Sequence, residues 1–188
     1  MQTINKYILL AGVVAISIFA SCEKDDPEIP HEEEVITTLT YTLTPVSGGD
    51  VVTMTFQDLD GDGGNDPVIT GGTLAANTAY VGELNLLNET ETPAHDIGAE
   101  VKEEDEEHQF FYQVAGGLNL SVTYADVDAD GNPVGLSTTL SSGDASQGQL
   151  TIILRHQPDK GAAGVSTGDV TNAGGETDIE VTFDVEII

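Results

Sequence analysis

The amino-acid pattern predicts an all-β protein: an antiparallel β-sandwich of about eight or nine strands, set behind an N-terminal leader and an acidic tether. Three observations carry this. Apolar residues alternate with Thr, Ser, Asn or acidic residues over many short runs, which is the period of a strand with one dry and one wet face. The 21 glycines suit a chain with many turns. No long stretch has the 3.6-residue period of an amphipathic helix. One dry face per strand is what two packed sheets require, so a sandwich is favoured over a barrel.

The chain starts with a short polar segment carrying Lys6, then the uncharged apolar run Tyr7–Ala20. A bilayer span needs about 20 apolar residues, so this run is too short to cross. A basic start, a short apolar core and small residues at the end describe a secretory signal. Phe19-Ala20-Ser21-Cys22 resembles a bacterial lipobox, with Phe19 where Leu is usual. There a Cys is diacylated and becomes the mature N-terminus. Cys22 is the only cysteine of the chain. Several acyl chains on one residue hold a membrane stably, at about 0.8 kcal/mol per buried CH₂. Residues 1–21 therefore read as a lipoprotein signal peptide, 22–34 as an acidic tether and 35–188 as the folded domain. Glu23-Lys24-Asp25-Asp26-Pro27-Glu28 looks like the surface-export signal of Bacteroidota-type lipoproteins. The expected location is the outer membrane, lipid-anchored and exposed at the cell surface.

Once Lys6 has left, 33 acidic residues face 4 basic ones, a balance of −29. Phosphate binding needs basic patches, so nucleic acid is excluded as a default partner. Anionic lipid is excluded for the same reason, and the acyl chains alone must make the membrane contact. With Cys22 lipidated no thiol remains for a disulfide, so stability rests on core packing, with bound metal as a further source.

The domain opens on Thr38–Thr44, where Leu39, Tyr41 and Leu43 alternate with threonines. Ser47–Asp50 turns the chain into Val52, Met54 and Phe56, completing a hairpin. An Asp/Gly loop, Asp58–Pro67, leads to the short strand Val68–Thr70. Thr78–Leu87 alternates again through Tyr80, Gly82, Leu84 and Leu86. Asn88–Glu107 is an acidic loop with a short helix or strand at Ile97–Lys102. Strands follow at Gln109–Val114, Leu118–Tyr124, Val134–Ser141 and Leu150–Leu154. Gln157–Gly175 reads as a long Gly/Ala-rich loop. Ile179–Ile187 is the cleanest strand, apolar on one face and acidic or hydroxylic on the other.

Two loops have the spacing that curls carboxylates around Ca²⁺. Asp58, Asp60, Asp62 and Asp66 stand at positions 1, 3, 5 and 9 of the first, with Gly63 at 6; Asp126, Asp128 and Asp130 stand at 1, 3 and 5 of the second, with Gly131 at 6. An EF-hand is excluded: position 12 is Ile69 or Ser137 rather than Glu, and strands flank both loops. Calcium is the cofactor these loops would take. Asp and Gly are equally the residues of a plain β-turn, so both readings stand.

Four histidines remain: His31 in the tether, His95 in the acidic loop, His108 entering a strand and His156 leaving one. His108 and His156 can bind Zn²⁺ or Cu²⁺ if the fold brings them together beside carboxylates. Gly164-Val165-Ser166-Thr167-Gly168 has the letters of a nucleophile elbow. That elbow needs a strand before, a helix after and a later His, and no His follows Ser166. No catalytic residues are assigned.

The segments Glu107–Tyr112, Leu154–Lys160 and Gly174–Ile179, with the lipobox and acidic tether, resemble an uncharacterised family of small Bacteroidota-type outer-membrane lipoproteins. The resemblance implies company with a TonB-dependent receptor. That family is sometimes labelled a type 1 periplasmic-binding-fold protein. Such a fold needs alternating strands and helices and a longer chain, so the strand pattern predicts a sandwich instead. The function expected is a non-enzymatic, membrane-anchored binding or accessory module. The alternative is a Ca²⁺-stabilised adhesive or carbohydrate-contacting surface domain.

Overall fold

The computed structural model describes residues 34–61 and 64–188. The leader, Cys22, His31, the tether up to residue 33 and Asp62 lie outside the described residues.

Among the described residues, eleven strands form two sheets. In chain order they are β1 Thr38–Pro45, β2 Val52–Gln57, β3 Val68–Thr70, β4 Gly72–Leu74, β5 Ala79–Asn88, β6 His95–Asp96, β7 His108–Ala115, β8 Leu120–Tyr124, β9 Ser137–Ser142, β10 Ser146–His156 and β11 Glu176–Ile187. The first sheet runs β3-β2-β1-β5-β9-β8, with β6 attached to β5; the second runs β4-β11-β10-β7. All pairs are antiparallel except β4 with β11. The all-β sandwich predicted from alternation is the fold observed. The strand count exceeds the expected eight or nine because β4 and β6, of three and two residues, are too short to show a period. Val134 lies before β9 rather than in it, since β9 starts at Ser137.

The alternating sets meet in one core. Leu39, Tyr41 and Leu43 of β1 and Met54 of β2 face Leu150, Ile152 and Leu154 of β10 and Val181, Phe183 and Val185 of β11, all buried. Each such side chain contributes about 1.5–3 kcal/mol by leaving water. The wet faces carry the threonines and acids seen in the sequence. Gly82 of β5 has a packing reason: a Cβ there would stand 2.6 Å from the Tyr41 hydroxyl and 2.5 Å from Thr138 Oγ1. Those two oxygens share a buried hydrogen bond of 2.6 Å, which a larger residue at 82 would displace.

The undecided segment of the acidic loop is a helix, α1, Ile97–Glu103. Asp96 caps it, its carboxylate accepting from Ala99 N, and Ile97 and Val101 bury its inner face. At seven residues it is too short for a readable helical period.

Gln157–Gly175 departs from the sequence reading of a long loop. It makes two short 3₁₀ turns, Val165–Thr167 and Val170–Asn172. Val165 and Ala173 are buried against Phe111 and Ile153 on the outer face of the second sheet. Gln109 Nε2 donates to Val165 O at 2.9 Å. The segment thus covers apolar residues that β7 and β10 place on their second face.

Candidate metal centre

The first aspartate loop supplies its own hydrogen-bond donors. Asp58 Oδ1 accepts from Gly61 N at 2.9 Å. Asp60 Oδ2 accepts from the backbone N and the side-chain amide of Asn65, at 3.1 and 2.7 Å. These bonds hold the Asp60 carboxyl below its ordinary range. Asp60 and Asp66 are exposed.

The second loop has a cation built in. Asp126 accepts from Gly135 N at 2.7 Å and Ser137 N at 2.9 Å, pinning the chain as it enters β9. Asp128 Oδ1 accepts from Asp130 N and Asn132 N at 3.0 and 2.8 Å. Asp128 Oδ2 receives Lys160 Nζ at 2.9 Å, with both side chains almost wholly buried. Lys160 also donates to the Asp105 carbonyl. Burial pushes the Asp128 carboxyl up, but the Lys160 ammonium and the Asn132 N–H outweigh it and hold it below its ordinary range. The Asp130 side chain is exposed. Lys160 was not singled out from the sequence; its available signal was rarity, as one of five basic residues against 33 acids.

The histidines do meet. His108 opens β7 and His156 closes β10, and the register sets them directly opposite. Their rings stack with centroids 4.7 Å apart and planes 11° from parallel. His108 is wholly buried. Its Nδ1 lies 3.1 Å from Glu104 O. A carbonyl only accepts, so Nδ1 is the nitrogen that donates in this contact. Nε2 makes no hydrogen bond among the described residues. It points at the Asp178 carboxylate, with Oδ2 at 4.0 Å and neither side chain exposed. His156 Nε2 stands 3.8 Å from Glu107 Oε2 at the rim. His95, by contrast, sits apart on β6 with Nε2 3.0 Å from Glu100 Oε1.

Asp178 owes its place to an irregularity. Leu154 pairs with Ile179 but Arg155 pairs with Thr177, so Asp178 is the extra residue of a β-bulge. Bulges re-aim side chains. Strict alternation would put Asp178 on the wet face with Glu180 and Asp184, and the sequence reading placed it there.

His108, His156 and Asp178 each offer one ligand atom, all within 4.8 Å of one another; Glu34, Glu104 and His108 form a second such group. Glu34 is half-buried. Burial, the Glu100 and Asp178 charges, a hydrogen bond shared with Glu100 and the Glu104 charge push its carboxyl up to about 7. Two imidazoles and a buried carboxylate form a donor set suited to Zn²⁺ or Cu²⁺ rather than Ca²⁺. An ion held at about 2.0–2.2 Å would draw these atoms together and tilt the two stacked rings toward each other, since a metal lies in the plane of the imidazole that binds it. The Nδ1–H bond to a carbonyl is the support that orients a ligating imidazole.

Clefts lie elsewhere among the described residues. One of about 630 Å³ runs between α1 and β5, lined by Lys102, Asp96, Leu84 and Leu136 among others. Another of about 720 Å³ is an open groove over Gly72, Gly148 and Asp184.

No family model matches the chain, and no curated protein matches it. Among solved structures, the crystal structure of the S-layer protein SbsC domains 4 and 5 is similar over 79% of this chain and 76% of its own, at 11% identity and a TM-score of 0.29. A likeness at that level carries no argument about fold or role.

Proposed function

We propose that this chain is a membrane-anchored, non-enzymatic surface module that binds a divalent transition ion, Zn²⁺ foremost, at the His108–His156–Asp178 end of its sandwich. The observation that carries this is His108 Nε2. It is fully buried, makes no hydrogen bond among the described residues and faces a buried carboxylate. A buried polar atom without a hydrogen bond costs about 1–3 kcal/mol, which coordination would offset. Acyl chains on Cys22 place the module at the outer membrane, with a receptor there as its implied neighbour. The non-enzymatic reading rests on the absence of a triad order around Ser166 and on the burial of the histidine set.

Calorimetric titration of the full-length chain with Zn²⁺ tests the ion. One site is expected in the wild type, and none in the double variant His108→Ala/His156→Ala. Equal affinities in the two would overturn the metal reading. Palmitate labelling of wild type and Cys22→Ala tests the anchor, and label retained by the variant would refute it.

A further inference from the structure

Resting on that metal reading, we infer that ion binding is coupled to the entry of the chain into β1, with Glu34 as the coupling residue. Glu34 stands four residues before β1 and belongs to the second ligand group, with Glu104 and His108. The two groups share His108. Glu34 thus belongs to a ligand group that adjoins His156 and Asp178 through the His108 ring, on the segment that leads into β1.

The second group is more than a patch of acids, because it contains the wholly buried His108 ring, whose Nε2 lacks a hydrogen bond. Its members come from three places: the approach to β1, the end of α1 and the start of β7. The ligand atoms of Glu34, Glu104 and His108 lie within 4.8 Å of one another. A divalent ion is the largest local charge in such a site and attracts each carboxylate around it. Occupancy would draw Glu34 toward His108 and Glu104. The next residues have little else to hold them. Val35 is exposed, Ile36 only leans on the core, and the first backbone bond to the sheet is Thr37 N to Leu87 O at 3.0 Å. The ion thus adds a tie upstream of the first strand bond. Zn²⁺ would act as a ligand of the joint as well as of the domain.

Hydrogen–deuterium exchange across residues 34–37 of the full-length chain in detergent, with and without Zn²⁺, reads this directly. Calorimetry on the same samples reports whether the ion binds. Site-to-site coupling typically amounts to about 5–150-fold. Exchange at 34–37 should slow by about that factor in the wild type on adding Zn²⁺. Glu34→Gln should still bind Zn²⁺ through the other three residues but lose the slowing. Zn²⁺ binding with no change at 34–37, or with the same slowing in Glu34→Gln, overturns the coupling and leaves the metal site standing. Absence of Zn²⁺ binding in the wild type overturns both. Asp178→Asn separates the roles further: it should weaken binding in calorimetry, and unchanged affinity would count against Asp178 as a ligand and so against the metal site.

Discussion

Two acidic places in this molecule have opposite endings. At the Asp126–Asp130 loop the carboxylates look like a cation site in sequence, and the cation is already part of the chain: Lys160 Nζ bonds to Asp128 in a buried pair. Where β7 starts and β10 ends, His108 belongs to two ligand groups, one with His156 and Asp178 and one with Glu34 and Glu104, and its Nε2 makes no hydrogen bond among the described residues. The first place was marked by a motif and the second by none. A D-x-D-x-D-G pattern reports that a loop bends and presents oxygens. It does not report whether a side chain 32 residues beyond Asp128 has filled the space between them. The difference is set by long-range packing.

The sharpest way to break the comparison is to empty the first place. Lys160→Met should destabilise by about 3–5 kcal/mol, because it leaves a buried carboxylate without its partner; urea melts would measure this. Lys160→Ala should convert the loop toward its sequence appearance, so that millimolar Ca²⁺ restores part of the lost stability. The same Ca²⁺ should do nothing for Lys160→Ala/Asp128→Asn. Rescue in both, or in neither, would mean the loop was never a cation cradle.

Filling the second place comes next in size. At Zn²⁺ a hundredfold above its dissociation constant, the wild type should gain about 2.7 kcal/mol, visible as a raised Tm that EDTA reverses. His156→Ala should lose that gain. An unchanged Tm in wild type would leave the histidine stack as core packing only.

A third test uses acid. The Asp128 carboxyl is held below its ordinary range in the folded chain, against about 3.9 when unfolded. Its contribution is therefore fully present above that unfolded value and is lost as pH falls through the lower, folded one. Urea midpoints from pH 6 to pH 3 should fall more steeply in wild type than in Asp128→Asn. Parallel curves would remove Asp128 from the account.

The smallest effect is expected at the other loop. Asp60→Ala removes an exposed acceptor of two bonds from Asn65, and its Tm should drop by at most about a few degrees. A larger drop, or one that depends on Ca²⁺, would give this loop a metal after all.

Most of the sheets was legible because Leu39, Tyr41 and Leu43, or Ile179 through Ile187, alternate against threonines and acids without interruption. Burial on one face enforces that period directly. The short edges β4 and β6 left no period to read. Phe111 and Ile153 occupy positions that alternation assigns to solvent, and only the folded 157–175 segment makes sense of them. At the site, His108 and His156 could be named as strand ends, but their pairing depends on the β7–β10 register. Asp178 was hidden by a bulge, which breaks the rule that made the rest of β11 easy. Glu34 was hidden among tether acids of identical type.

One consequence of the strand order concerns force. β1 lies in the interior of its sheet, paired along its length with β2 on one side and β5 on the other. It is also the first strand after the acyl-anchored end inferred for the chain. A pull directed along β1 shears both ladders together, so their bonds must give way as a set. A strand hung at the edge and peeled sideways would yield one bond at a time. Held from both sides, β1 is a strand placed to resist being dragged along its axis.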